Sequence, residues 1–480
     1  MSKTHSWWEN GEHHSEYEDE GKLDEGIGDD AFRAQASKKP SQISRRIHIL
    51  GAGNVGTFVA HSLAGIPNRP PVTLLLKGVN HLKSWKEANE TLSVTTRGMT
   101  DERRGFDVEL LPYERPDSWP YQDSVHMPTI TERLSDSTES ANGSTEQMQK
   151  DVDQSNELQP GFPPFPKQDR KPISLSRRQS SDFEREIIAS RTHDESIIHH
   201  LIVTTKAYAA AKAISQYAHR LTEHSTILFL QNGLGVLDEV SQLCFPDPAT
   251  RPQYMVGVNS HGLKRKGRFF DVRHAGEGTI ALGIMPQPFF SGIKAKQSLA
   301  SATPSSQYML RTMTRTPVFV AAGFPPTDLF QLQLDKLAIN SIINPITALL
   351  NVKNGAFNET FHLTRVLRLL LAETCLVLKS LPELKNVPNV NMRFDTARVE
   401  QKVWEVTRAT AENDSSMLQD VRTTNWTEVD YINGYIIKRG EELGMHCVLN
   451  YMLKQLLEAK SVLYNQEKNE ALPFAPFPVE

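Results

Sequence analysis

Cysteine is scarce in this 480-residue chain: Cys244, Cys375 and Cys447 stand alone, with no CxxC spacing. That excludes a disulfide scaffold, gives no zinc-site pattern, and fits a reducing compartment. Basic excess is missing too. Lysine and arginine number 53 against 57 acidic residues, a formal net charge of -4. Little would then drive counterion release from a polyanion, and no nucleic-acid partner is expected. No apolar run reaches the ~18–20 residues of a spanning helix, so no membrane partner is expected either. The first residues are polar and acidic (Glu9, Glu12, Glu16, Glu18, Asp19, Glu20). An apolar signal peptide or an Arg-rich transit peptide would look different, so the expected location is the cytoplasm, with mitochondria as the alternative although no transit peptide is seen. Hydrophobic residues make up only 39%, which predicts that part of the length stays outside a packed core.

Residues 1–44 carry no sustained apolar periodicity and read as a disordered acidic tail. Trp7 and Trp8 within it fit either a short docking motif or incidental exposure. At Arg45 the character changes. Ile47 to Leu50 is an apolar run ending in Gly51, Val55, Phe58, Val59 and Leu63 recur at helical spacing, and Val72 to Leu76 is a second apolar run. Strand, glycine turn, helix and strand within about 30 residues outline a βαβ unit. Residues 112–195 are rich in Ser, Pro, Gln, Asp and Glu. The run Pro160-Gly161-Phe162-Pro163-Pro164-Phe165-Pro166 holds neither a helix nor a central strand, and the segment is predicted to be a long, largely disordered insertion. Arg177-Arg178-Gln179-Ser180 matches a basophilic-kinase site, a pattern common by chance. Tail and insertion are also where a protein partner would make contact.

Order returns at Ile197. Strands are predicted at 197–205, 226–230, 255–258 and 278–283, with a helix at 207–221 and a polar loop over 287–306. From Leu329 the texture is helical, over 329–350, 363–381, 427–443 and 450–463. The predicted fold is an α/β Rossmann-type doubly wound N-terminal domain (45–325) followed by an all-α C-terminal domain (326–480).

Four constellations carry chemistry. The first is Gly51-Ala52-Gly53-Asn54-Val55-Gly56, placed after a strand and opening a helix. Gly51 allows the tight turn, Gly53 lets a pyrophosphate approach the backbone, and Gly56 lets helix and strand pack closely, so phosphates meet free N–H groups at a helix N-terminus. The second is an absence. An NAD site would place an acid about 20 residues beyond the glycines, whereas this strand ends in Lys77. A cation there suits a 2′-phosphate and predicts NADP(H); a solvated surface lysine is the competing reading. The third is Lys336, Asn340 and Asn344, which share one face of an otherwise apolar helix, with Pro345 directly after Asn344. Such a face lines either a polar cleft or open solvent. The fourth is Ser415-Ser416-Met417-Leu418-Gln419-Asp420 with Thr427-Glu428. Glu428 is aligned with Ile432, Tyr435 and Ile436, so its carboxylate points into a cleft or complements the helix dipole.

Taken in order along the chain, these motifs resemble the ketopantoate reductase (2-dehydropantoate 2-reductase) family over about residues 45–110 and 197–465. The most specific are Thr204-Thr205-Lys206-Ala207-Tyr208, Gln231-Asn232-Gly233-Leu234-Gly235, Lys336 through Asn344-Pro345, Asn351, Asn354-Gly355, and Ser415 through Asn433-Gly434. The resemblance implies NADPH-dependent reduction of 2-dehydropantoate to pantoate, a step of pantothenate biosynthesis. It implies Lys336 as general acid and Glu428 as the carboxylate that positions substrate and lysine. It implies Asn340, Asn344, Asn354 and Ser416 as substrate-binding residues, and Lys206 and Asn232, with the glycine loop and Lys77, as cofactor contacts. Lys77 stands where the family usually carries arginine, which keeps the charge but loses the planar fork. Burial would lower the Lys336 pKa and Glu428 would oppose that; sequence leaves the balance open. Two other readings stand beside this one: a non-catalytic NADP-binding regulatory module, and a reductase for another small 2-oxo acid. A homodimer is an open expectation.

Overall fold

The computed structural model describes residues 43–110, 196–286 and 302–470. The predicted tail with Trp7 and Trp8, the predicted insertion with Ser180, and residues 287–301 of the polar stretch lie outside them. The described residues belong to one compact unit.

The twelve strands among the described residues are short, three to seven residues each, and their residues explain which sheet each enters. β1 (Ile47–Leu50), β2 (Val72–Leu76), β6 (His200–Val203) and β7 (Thr226–Phe229) are buried throughout, as strands covered by helices on both faces must be. With β5 (Asp107–Leu110), β8 (Gln253–Asn259), β11 (Ile280–Ile284) and β12 (Ala321–Gly323) they form an eight-stranded sheet in the order β12-β11-β8-β7-β6-β1-β2-β5. Pairing is parallel except between β8 and β11. The chain winds outward from β1 to β5, then returns to β6 beside β1 and winds the other way. The carboxyl ends of β1 and β6 therefore flank the switch point, where such sheets bind ligands.

The sequence reading missed a second sheet, β4-β3-β10-β9, built from β3 (Leu92–Thr96), β4 (Met99–Arg103), β9 (Gly262–Arg265) and β10 (Asp271–Gly276). Its central pairing is parallel, with Ser93 opposite Asp271. It packs on α1 (Asn54–Ala64), where the Phe58 ring lies 5.1 Å from His261 and 4.9 Å from His274. The remaining helices of this half are α2 (Gly78–Glu87), α3 (Ala207–Ser215), α4 (Val236–Leu243) and α5 (Pro304–Thr314). Here α3 stops well short of the expected residue 221, with a 3-10 turn at Ala218–Arg220 taking up the remainder. α5 begins inside the stretch expected to be loop, because Thr303 caps it by accepting from the Ser306 N–H and Pro304 starts its first turn.

The helical half comprises α6 (Pro326–Leu350), α7 (Phe361–Lys379), α8 (Val390–Arg393), α9 (Thr396–Ala409), α10 (Ser416–Arg422), α11 (Val429–Glu442) and α12 (Val448–Glu470). The sequence reading passed over α9, although Asp395 caps it through the N–H groups of Ala397 and Arg398. Helix α6 is the central rod. It runs through Pro345, whose ring removes the hydrogen bond to the carbonyl of Ser341. Asn433 of α11 donates its Nδ2–H to that carbonyl at 2.8 Å, so the helix continues without leaving an acceptor bare.

Candidate functional site

The glycine loop sits at the switch point. Gly51 adopts φ +103°, and a Cβ there would lie 2.7 Å from the Thr205 backbone nitrogen. A Cβ on Gly56 would overlap the Gly51 carbonyl oxygen and lie 2.7 Å from the Thr204 hydroxyl, so this glycine lets α1 close on β1 and β6. Gly53 differs, since a Cβ there would meet nothing within 4 Å. It faces open space at the N-terminus of α1, whose first turn carries no side-chain cap and no acid. Ala52, Asn54 and Val55 are partly exposed around it. An uncapped helix start beside an uncrowded backbone has the geometry to accept a phosphate.

Lys77 caps the end of β2 as the residue before α2, is exposed, and makes no ion pair among the described residues. Its carbonyl is bound by the His81 imidazole Nδ1 at 2.7 Å, which fixes the backbone and leaves the ammonium to solvent.

On α6, Lys336 is partly buried and Asn340 lines the same cavity, together with Asn232, Gly257 and Val258. The polar face seen in the sequence therefore borders a cleft. The Lys336 ammonium donates to the carbonyl of Asn259, at the tip of β8, at 2.7 Å. Burial brings its pKa down to about 8, and the Glu428 carboxylate offsets only part of that shift. Asn344, one turn further, is buried and donates its amide to the Ser416 hydroxyl at 3.3 Å. The neighbouring Ser415 has a different task. It caps α10 by accepting from the Leu418 N–H at 3.1 Å and accepts from Thr347 at 2.7 Å.

Glu428 lies at the N-cap of α11 and is 3% exposed. Its two oxygens are held from the sheet half: Oε1 accepts from the Ala207 N–H at 3.1 Å and Oε2 from Asn232 Nδ2 at 3.2 Å. Lys206 stands 3.7 Å from Oε2 and donates to Asp420 at 2.6 Å. Burial pulls the Lys206 pKa down, but Glu428 and Asp420 outweigh it and leave it raised. Burial also pushes Asp420 up to about 6, against the pull of Lys206. Asp420, which sequence reasoning left without a role, is the residue that anchors Lys206. The signal was present, because Asp420 lies four residues after Ser416 on the same face of a short helix, but its partner is 214 positions away.

Of the four residues expected at the substrate, Asn340 lines the cavity with Lys336, and Asn344, Ser416 and Asn354 lie outside its lining. Asn354 is held elsewhere. It donates to the Thr410 hydroxyl at 2.9 Å, and its N–H donates to the Asn413 carbonyl at 3.1 Å. Its contacts steady the loop that leads into Ser415 and Ser416. Asn351, at φ 56°, ends α6 in the left-handed conformation and accepts from Arg422 at 2.8 Å. Among the described residues no group of His, Cys, Asp and Glu is arranged to hold a metal, and no helix is long and apolar enough to cross a membrane.

Residues 328–461 match the family profile described as "Ketopantoate reductase PanE/ApbA C terminal", and residues 169–287 match "Ketopantoate reductase PanE/ApbA". The glycine loop lies outside both stretches. A probable 2-dehydropantoate 2-reductase of Schizosaccharomyces pombe is 30% identical over 265 residues, covering 55% of this chain and 74% of that protein. The 2-dehydropantoate 2-reductase of Saccharomyces cerevisiae is 26% identical over 291 residues, covering 57% and 76%. Among solved structures, D-mandelate dehydrogenase with NADH and anilino(oxo)acetate superposes with TM-score 0.56 at 16% identity, over 88% of this chain and 99% of that one. The 2-dehydropantoate 2-reductase of Geobacter metallireducens superposes with TM-score 0.53 at 17% identity, over 86% and 99%. At these identities the solved structures show a shared fold: a Rossmann-type α/β half joined to a helical half.

Proposed function

The chain belongs to the ketopantoate reductase family, and on that premise we propose that it reduces 2-dehydropantoate to pantoate with NADPH, using Lys336 as the proton donor. The observation that carries this reading is the Lys336 ammonium, held at 2.7 Å on the Asn259 carbonyl, with a pKa of about 8, in a cavity shared with Asn232 and Asn340.

The residues fit a phosphorylated dinucleotide. The open space over Gly53 and the uncapped start of α1 accept a pyrophosphate. Lys77, exposed at the end of β2 without an ion-pair partner among the described residues, suits a 2′-phosphate. When bound, the nicotinamide supplies the hydride; the chain supplies orientation and charge. Negative charge develops on the ketone oxygen, and an ammonium beside it stabilises that charge and delivers the proton. Burial makes Lys336 a better acid than an exposed lysine, whose pKa is roughly 10.4. Glu428 acts from outside the reacting atoms. Tied to Ala207 and Asn232, it holds negative potential near Lys336 and keeps α11 against the sheet half. Asn340 offers a carboxamide to the substrate in the same cavity, and Ser416, paired with Asn344, offers a hydroxyl.

Steady-state kinetics with NADPH and NADH across a panel of 2-oxo acids tests the reading. NADPH with 2-dehydropantoate should give the highest kcat/KM. Lys336→Ala should cut kcat by about 10²–10⁴-fold while NADPH still binds. Another 2-oxo acid turning over faster would reassign the substrate, and near-normal kcat in Lys336→Ala would remove the lysine from its role. A chain that binds NADPH but reduces none of the panel would favour the regulatory reading.

A further inference from the structure

Gln231 and Gln333 are used by none of the preceding chemistry. Gln231 directly follows Leu230 at the end of β7, and Gln333 lies three residues before Lys336 on α6, on the face that continues through Asn340. Both line the cavity that holds Lys336 and Asn340, and both line the adjoining one, whose other walls include the apolar Phe229, Leu234, Leu237, Val256 and Met285. Three of their polar atoms are buried with no hydrogen-bond partner: Oε1 and Nε2 of Gln231, and Oε1 of Gln333. Buried polar groups without partners are rare in folded proteins, and their burial is costly unless a ligand completes them.

The count of these atoms selects the ligand group. Two bare carbonyl oxygens require donors, and the bare NH2 of Gln231 requires an acceptor. A carboxylate or phosphate offers acceptors alone. A single hydroxyl has one hydrogen to give. A primary carboxamide has two N–H donors and one carbonyl acceptor, and on a flat ring it suits a site with apolar walls. We propose that Gln231 and Gln333 recognise the carboxamide of the nicotinamide and so fix which part of the ring faces Lys336. The proposal rests on the nicotinamide reading of the site, and its first test reads nucleotide binding without turnover.

The probes are NADPH and its reduced 3-acetylpyridine analogue, in which a methyl group replaces the amide nitrogen and both donors are lost. Dissociation constants come from the change in nucleotide fluorescence on titration. The native chain should bind the analogue at least tenfold more weakly than NADPH. Gln333→Met and Gln231→Met keep the cavity filled and remove the polar atoms. Each should weaken NADPH about tenfold and leave the analogue nearly unchanged, so discrimination falls towards one. Gln333→Glu keeps an acceptor at that position and should retain discrimination, which separates lost recognition from a disturbed fold. Discrimination surviving in both Met variants overturns the proposal. So does unchanged NADPH binding with a raised KM for the 2-oxo acid, which would give the pair to the substrate. A native chain that binds neither nucleotide overturns the cofactor reading as well.

Discussion

The Lys206 ammonium and the Asp420 carboxylate meet at 2.6 Å, bringing the start of α3 against α10 across the junction of the sheet and helical halves. Asp420 is 7% exposed at its side chain and Lys206 34%, so the pair is shielded on one side only. Asp420→Asn leaves Lys206 with Glu428 alone, at 3.7 Å. The expected loss is roughly 1–2 kcal/mol, at the low end for a charge-assisted bond because Lys206 still reaches solvent. Urea denaturation of Asp420→Asn, Lys206→Met and the double variant should give a coupling near 1 kcal/mol. Strict additivity of the two single losses would show that the pair holds nothing together.

With Lys336 as the proposed proton donor, its titration is expected to set the alkaline limb of the reaction. The charged ammonium is the active form, so the sign follows directly. Activity is full while the lysine holds its proton and falls as pH rises through about 8. The expected kcat/KM profile for reduction, which reports the free protein, falls tenfold per pH unit above that point. Lys336→Arg keeps the charge, but its guanidinium does not release a proton in this range, and the variant should be slow with no limb near 8. A native profile flat from pH 7 to 10 would contradict the assignment.

Legibility in the sequence tracked the range of the interaction. The glycine loop and the Lys336–Asn340–Asn344 face are written within a few residues, by turn chemistry and helical periodicity, and they were readable. The small sheet was not, because β3 pairs with β10 across 178 positions and β4 shows little apolar alternation. α9 was overlooked although its buried Val399, Val403 and Thr407 recur every four residues. Glu428 read as an even choice between dipole complement and cleft carboxylate. Asn232, 196 positions away, decides it by donating to the carboxylate. Asn354 was expected at the substrate, and it bonds to Thr410 and Asn413, against the loop before Ser415; those pairings have no trace in local sequence.

Gly53 and Gly56 should answer the same substitution differently. A Cβ on Gly53 meets nothing within 4 Å, and the residue already has an ordinary φ of -78°. Gly53→Ala should therefore change stability by under about 1 kcal/mol, while the new methyl fills the space a pyrophosphate needs and weakens NADPH tenfold or more. Gly56→Ala sets a methyl against the Gly51 carbonyl and the Thr204 hydroxyl, which should cost about 1–3 kcal/mol in overpacking before any ligand is added. Thermal melts and nucleotide titration of the two variants check this. Equal melting points, or equal nucleotide affinities, would break the division of labour between them.

Pro345 and Asn433 form a second pair with a definite coupling. The proline withholds an N–H from the Ser341 carbonyl, and Asn433 Nδ2 supplies one at 2.8 Å while also donating to Asn450 at 2.9 Å. Asn433→Ala leaves two buried acceptors bare, at an expected cost of about 2–4 kcal/mol. Pro345→Ala restores a backbone N–H that can close the ordinary helical bond to Ser341. Asn433→Ala should then cost about 1 kcal/mol less in the Pro345→Ala background than in the native one, the remainder belonging to Asn450. Denaturation of the four proteins completes the cycle. A cost for Asn433→Ala that does not depend on residue 345 would mean that the asparagine does not stand in for the missing helical bond.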